Sequence, residues 1–349
     1  MINKLSICIP TLNREKYIGQ TLDSIVCQIE ADVDVVIVDG GSTDGTEKII
    51  NQYQKSYPFI RYIKSIATKN KPSNEGFDRD CNYAVEQAQG DYCWLMTDDD
   101  LLKPGAIKKI QSEIQNNYAL IIVNTELCSN DLSEVLIDRR LDVSTDRTYA
   151  PNEWNDFAAD VGGHLTFVGA VIIKKTLWQK RDKEKYFGSG FIHVGTIFDE
   201  PITENILVSA EPCVSVRYGN ALWSSRAFEI WMFNWPDLIE SFKSISEIAK
   251  RALSKKEPWR NVKGLFTFRA LGAYSTIEYR KYLSSRLQGT TAVMAYLIGI
   301  FPATLANIIC MFYFGLQRNI KKSLIYDLLT SRYASFITRL LAQLLVKIS

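Results

Sequence analysis

In the first half of the chain, short apolar runs alternate with helical stripes. Leu5–Ile9 is a short apolar run that Pro10 stops. Tyr17–Ile29 places Ile18, Leu22, Ile25, Val26 and Ile29 on one helical face. Val33–Val38 is broken only by Asp34, the pattern of a strand covered on both faces. Gly40 to Gly45 reads as a turn, and Thr46–Gln54 as a helix with Asp44 as its N-cap. Ile60–Ile63 is a third strand, and Phe77–Gln89 a helix that stops at Gly90. Tyr92–Met96 is a strand running into Thr97-Asp98-Asp99-Asp100, a helix follows Pro104, and Ala119–Asn124 is a further strand. This β-α-β-α-β order predicts an α/β fold, a mostly parallel sheet with helices on both faces. Ligands of such sheets sit beyond the carboxyl ends of the strands. The polar signatures fall at those ends: Pro10 to Arg14, Asp39, and Asp98 to Asp100.

The pattern then changes. Glu126–Trp154 is polar and irregular, Leu165–Ile173 reads as a strand, and Leu207–Val216 as another, interrupted by Pro212. From Ser224 onward the periodicity is helical. The expected organisation is a catalytic α/β domain over 1–220 and a helical region over 221–349, with the boundary near Gly219–Leu222. Leu287 to Gln317 contains no Lys, Arg, Asp or Glu across 31 residues. Arg280, Lys281 and Arg286 precede it, Arg318, Lys321 and Lys322 follow it, and Pro302 and Asn307 sit in its middle. Ser323–Lys347 then reads as a basic amphipathic helix with Leu324, Leu328, Ile337, Leu341 and Leu345 apolar. Three readings fit this region: docking on a membrane surface, a helical subdomain packed on the core, and a transmembrane span.

Composition sharpens the contrast. The chain of 349 residues is 46% hydrophobic and 23% charged, which excludes disordered and fibrous classes. Its net charge of +2 hides an asymmetry. From Lys250 to Ser349 there are 16 basic and 3 acidic residues, against 25 basic and 36 acidic before them. A basic, apolar end points to an anionic partner, and the long charge-free stretch favours lipid over nucleic acid. Seven scattered cysteines without a C-x-x-C pair fit a reducing compartment, and two histidines, His164 and His193, exclude a multi-histidine metal site. His164, flanked by Gly162-Gly163, reads as a loop residue. The opening residues run straight into a strand pattern, too short and interrupted for a signal peptide.

Asp98-Asp99-Asp100 carries the strongest chemical signal. Three adjacent carboxylates repel one another, and a divalent cation shared with phosphate oxygens resolves that repulsion. One aspartate suffices to cap the helix after Pro104; three exceed that need.

Residues 5 to about 115 resemble the family 2 glycosyltransferases of the GT-A fold, on three segments in order: SICIPTLNRE, VVIVDGGSTDGT and GDYCWLMTDDD. Gly40 replaces that family's usual second aspartate, and Asp80-Cys81-Asn82 stands where it commonly has Ala-Arg-Asn. Gly76-Phe77-Asp78 and Trp94 look more like the subgroup of abequosyltransferases and other O-antigen sugar transferases. The resemblance implies that Pro10, Thr11 and Arg14 line a nucleotide pocket and that Asp39 binds the base. It implies Asp98 and its neighbour Asp99 beside the ribose or the cofactor, and Asp98 and Asp100 as ligands of Mg²⁺ or Mn²⁺. Arg79 would contact phosphate or stand as a solvated helix arginine, and Asp39 would equally serve as a turn-former. Inverting transfer needs one base; His193 is the first candidate, with Asp199 and Glu200 as alternatives and a hydrogen-bonded core histidine as the competing reading. The implied partners are a nucleotide-sugar donor, a glycan acceptor carried on lipid and an anionic membrane surface, without nucleic acid. The implied location is peripheral, at the cytoplasmic face of the inner membrane. A nucleotidyltransferase, or a membrane-docked sugar-nucleotide-binding scaffold without activity, are the alternatives.

Overall fold

A computed structural model describes residues 3–29, 32–65, 76–220, 226–317 and 322–346. The chain divides into two compact units. The first comprises 1–128, 138–217 and 241–253, and the second 129–137, 218–240 and 254–349. Ala221, Leu222, Ser224, Arg318, Lys321 and Lys347, which carry parts of the sequence expectations, lie outside the described residues.

The first unit is built on a mixed sheet. Its strands are β1 (Leu5–Thr11), β2 (Val33–Asp39), β3 (Ile60–Lys64), β4 (Tyr92–Leu95), β5 (Leu101–Leu102) and β6 (Leu120–Cys128). Val135–Ile137, β7, belongs to the second unit; β8 (Arg147–Tyr149), β9 (Val171–Lys174) and β10 (Ile206–Arg217) return to the first. The order along the sheet is β3-β2-β1-β4-β9-β6-β10-β5. β3, β2, β1 and β4 run parallel, as do β6 and β10, while β9 lies antiparallel between β4 and β6. Between the strands run α1 (Ile18–Val26), α2 (Thr46–Ser56), α3 (Phe77–Gln87) and α4 (Ala106–Glu113). Later come α5 (Trp154–Val161), α6 (Lys175–Lys180) and α7 (Ile192–Phe198). β1 is buried throughout and β2 at all positions but Asp34, as strands covered on both faces require.

Two local expectations are corrected and a third holds. β1 continues through Pro10 to Thr11. Strand residues point their amides alternately to either side. Cys8 faces β4, where its carbonyl accepts from the Met96 N–H at 2.9 Å, and Thr11 faces β2, accepting from the Gly40 N–H. Pro10 therefore faces the β4 side, where β4 has already ended, and its missing N–H costs no ladder bond. Leu165–Ile173 is not one strand: two 3₁₀ turns precede β9, pinned by the Trp94 indole N–H donating to the Gly169 carbonyl at 2.9 Å. Leu207–Val216 holds as β10, with register shifts around Pro212.

The second unit is helical. Phe228, Phe233, Trp259, Tyr274 and Leu283 form one cluster, and Ala306, Cys310, Met311, Ile325 and Leu328 another. The expected single helix over Ser323–Lys347 is two, Lys322–Thr330 and Phe336–Val346. The second begins at a hydroxyl cap, where the Thr338 N–H donates to the Ser335 hydroxyl at 3.2 Å. Among the described residues no single helix is long and apolar enough to cross a membrane. Gly289–Ile300 and Ala303–Gly315 pass such a test only as a pair bent by 104°.

Candidate active site

The carboxyl ends of β1, β2 and β4 gather most of the predicted site residues. Asp98, Asp99 and Asp100 follow β4 and are all buried. Arg14, on the loop after β1, reaches two of them. Its Nε donates to Asp98 Oδ1 at 3.1 Å, and its Nη2 lies 3.2 Å from Asp99 Oδ2. The Thr97 hydroxyl donates to Asp100, whose other oxygen accepts from the Arg217 N–H at 2.6 Å. Arg217, at the end of β10, also donates from Nε to the Asp99 carbonyl at 2.9 Å. Tyr17 lies beneath both guanidinium groups, 5.8 Å from Arg14 and 5.0 Å from Arg217. Burial, reinforced by the Asp99 charge, pushes the Asp98 carboxyl up to about 7 and raises Asp100 in the same direction. The turn thus concentrates negative charge where water is scarce, and arginine offsets part of it.

Among the described residues no three His, Cys, Asp or Glu side chains converge to cage a metal ion. A Mg²⁺-type site does not need such a cage, since one or two carboxylates plus substrate phosphate oxygens are its ordinary ligands. The desolvated aspartates fit that kind of shared site.

Pro10 and Thr11 end β1 and are buried beside the cluster. Asp39 ends β2 with 0% exposure. Its Oδ1 accepts from the Gly41 and Ser42 N–H groups at 2.9 and 2.7 Å, and its Oδ2 from the Tyr62 hydroxyl at 2.7 Å. That is the turn-forming role; in this geometry the carboxylate is enclosed by its own loop. Arg79 is exposed on α3, its guanidinium 4.2 Å from the Phe187 ring centroid.

The base candidates lie elsewhere. His193 was expected where it can take an acceptor proton, and its surroundings are instead those of a core histidine. Its Nε2 is 2.8 Å from the Leu165 carbonyl, and burial depresses its pKa to about 4. His164 was expected in a loop and is also buried, its Nε2 2.9 Å from the Val123 carbonyl. Asp199 closes the far end of α7, bound by the Tyr186 hydroxyl at 3.0 Å and paired with Lys185 at 2.5 Å. Glu200 has 75% of its side chain exposed and pairs with Arg181 at 3.0 Å. Both stand about 10 Å down the helix from its start, by the rise of 1.5 Å per residue.

Three residues escaped sequence reasoning. Asp78 is buried on α3, and its two oxygens accept from the Gly190 N–H at 2.8 Å and the Ile192 N–H at 3.0 Å. It holds the loop before α7 in a shape that needs left-handed glycines at 188 and 190. Arg217 is a cation ending an apolar strand, a signal visible in the sequence. Asp80 stood out only as a departure from the family pattern, and its place against Gly40 is set by the fold.

Residues 6–169 match the family described as glycosyl transferase family 2. The chain carries a family 2 glycosyltransferase domain. Its relatives have the same activity class by name. The chain is 28% identical over 300 residues to the abequosyltransferase RfbV of Salmonella typhimurium, covering 80% of this chain and 87% of that one. It is also 28% identical to the GalNAc(5)-diNAcBac-PP-undecaprenol beta-1,3-glucosyltransferase of Campylobacter jejuni, over 35% of this chain and 38% of the relative. The crystal structure of S. aureus TarS 1–349 superimposes with a TM-score of 0.55 at 15% identity, covering 95% of this chain and 90% of that one. That likeness establishes the GT-A architecture of this glycosyltransferase.

Proposed function

We propose that this glycosyltransferase moves a sugar, with inversion, from a nucleotide-sugar donor to a lipid-linked glycan of a surface polysaccharide such as O-antigen. The observation that carries the reading is the buried Asp98–Asp100 turn braced by Arg14 and Arg217 at the strand ends of a family 2 domain. Negative charge grows on the departing nucleoside diphosphate, and cations placed beforehand stabilise it. Arg14 and Arg217 supply two such charges. Asp98 and Asp100 are the residues to hold Mg²⁺ or Mn²⁺, which supplies further positive charge to the diphosphate when bound. Pro10, Thr11, Arg14 and Asp99 line the donor pocket; Asp39 shapes it from beneath through the turn. With His193 enclosed, Asp199 and Glu200 stay as the base candidates, and of the two Glu200 is the exposed one.

The acceptor reading draws on the undecaprenol-linked substrate named for the Campylobacter relative. A second observation supports a lipid surface. Along Ala303–Gly315, Ala303, Ala306, Asn307, Cys310 and Met311 are buried, while Leu305, Ile309, Phe312 and Tyr313 are exposed. Gly289–Ile300 likewise exposes Val293, Met294, Leu297 and Ile300. A helix apolar on both faces buries one in protein and offers the other to lipid. These helices span about 18 and 20 Å, short of the roughly 30 Å hydrocarbon core. Peripheral docking at the cytoplasmic leaflet, helped by the basic excess of the last hundred residues, follows.

The test is product analysis with UDP-, GDP-, CDP- and dTDP-sugars and a polyprenyl-diphosphate-linked oligosaccharide. Release of a nucleoside diphosphate with an extended lipid-linked glycan is the expected result. Pyrophosphate release would mark a nucleotidyltransferase, and binding without turnover a scaffold. Liposome flotation with anionic and neutral lipids tests the surface: equal binding to both would sink the electrostatic part, and carbonate-resistant retention would mark a span.

A further inference from the structure

Gly40 has an ordinary negative-φ backbone, so its lack of a side chain is not a conformational need. What a side chain there would meet is the Asp80 carboxylate: a Cβ built on Gly40 falls 2.7 Å from Asp80 Oδ2. Asp80 comes from the first turn of α3, is buried, and lines a cleft of about 680 Å³ with Ile63, Lys64 and Ser65 at the end of β3. A carboxylate from the helix therefore occupies the space that a residue after Asp39 would otherwise fill. We propose that Asp80, admitted by Gly40, is the residue that selects the nucleobase of the donor.

This proposal rests on the nucleotide-sugar reading above. The strand order β2-β1-β4 puts the end of β2 two strand spacings, roughly 10 Å, from the Asp98–Asp100 turn. With the diphosphate at that turn, a nucleoside lying along the strand ends reaches β2 with its base. Asp39 is not free to read it, since its carboxylate serves the 41–42 backbone and Tyr62. Asp80 brings a second carboxylate to that end of β2. A carboxylate has about four acceptor positions, so it holds a protein neighbour and a ring N–H or exocyclic amine together. A base lacking a donor at that point leaves an acceptor position of the desolvated carboxylate unused, which is the basis of discrimination.

The experiment measures calorimetric binding of UDP, CDP, GDP and dTDP to the full chain and to D80N, D80A, G40A and G40D/D80A, with thermal unfolding to confirm folding. G40A is the second route, because its added methyl displaces the carboxylate without removing it. We expect D80N, D80A and G40A to weaken the preferred diphosphate about 10-fold or more, the usual worth of a hydrogen bond to a charged group. The spread among the four nucleotides should shrink with it. G40D/D80A, which returns a carboxylate from the loop side, should recover most of the affinity. Unchanged affinity in folded D80A and G40A overturns the role of Asp80. A loss equal for all four nucleotides moves the contact to the ribose and overturns base selection. Failure of the wild type to bind any of them overturns the nucleotide reading itself, and this proposal with it.

Discussion

The two units use hydrophobic residues in opposite ways. In the sheet unit, Ile7, Ile9, Val35, Ile37, Trp94 and Ile121 are wholly enclosed, and the exposed large apolar side chains, Phe77, Tyr83 and Ile248, lie on helices or their flanks, not in the strands. In the helical unit Leu305, Ile309, Phe312, Leu316, Phe336 and Leu344 face outward on helices whose other sides are already packed. Folding accounts for every apolar residue of β1 and β2. It accounts for only one side of Gly289–Ile300 and Ala303–Gly315. Polar residues are inverted too. Asn307, within the charge-free stretch, has no exposure; its amide donates to the Ala270 and Leu328 carbonyls and its oxygen accepts from Thr338 at 2.8 Å. The residue that looks like an interruption of a membrane segment is a tie that holds one face of the helix to protein.

The largest effect should come where the sheet unit concentrates charge. Asp98→Ala should lower transfer by about 10²- to 10³-fold with membrane attachment unchanged, the usual cost of one preorganised electrostatic group. Arg14→Ala should fall in the same range, since it braces both Asp98 and Asp99. Asp100→Ala should add a loss of stability of about 1–3 kcal/mol, because the buried Arg217 N–H loses its acceptor. Normal turnover in Asp98→Ala, measured as nucleoside diphosphate release, would end the claim that this turn carries the chemistry.

A second comparison exchanges the two kinds of apolar residue. Replacing Leu305, Ile309 and Phe312 with Ser should leave the circular dichroism spectrum and transfer to a detergent-dissolved acceptor intact. Liposome binding should drop by roughly 100-fold, since each side chain fully buried in lipid contributes about 1.5–3 kcal/mol and docking realises only part of that. A single Ile37→Ser in β2 should instead cost about 3 kcal/mol of folding stability through a cavity and a buried hydroxyl. If the triple variant unfolds while Ile37→Ser does not, the assignment of the two faces is reversed.

Much of the sheet unit was legible because its signals are local. Continuous apolar runs announced β1, β2 and β4, and the acidic run after β4 announced the charged turn. Pro10 misled because its effect depends on where the neighbouring strand ends, a fact of register. The 165–173 segment misled because β-branched and apolar composition does not record the pinning of Gly169 by Trp94. In the candidate site, the three aspartates stood out by residue type and position, and Arg14 through the family resemblance. The roles of Asp78 and Asp80 were not readable, since these residues work across sequence separations of about a hundred and forty residues respectively, through a loop amide and a missing Cβ. His193 was chosen for its chemistry and its place in the chain, neither of which reports the burial that decides its behaviour.

The smallest effect tests that burial directly. His193 and His164 are held neutral in the folded chain, with pKa values depressed by burial to about 4 and about 3. In the unfolded chain each takes a proton near pH 6.5. Their depressed values mean that the stability they allow is present above pH 6.5 and is lost as pH falls toward the folded values. The unfolded state then binds protons that the native state refuses. At pH 5 each histidine should cost about 2 kcal/mol relative to neutral pH. His193→Asn should remove roughly half of that acid sensitivity, whatever it does to stability at pH 7.5. Denaturant midpoints at pH 5 and pH 7.5 for wild type and variant give the difference. An exposed, acceptor-facing imidazole would titrate alike in both states, so the variant would leave the pH slope unchanged while transfer fell by about 100-fold. The sheet unit's reading of His193 as core stands on the first outcome and falls on the second.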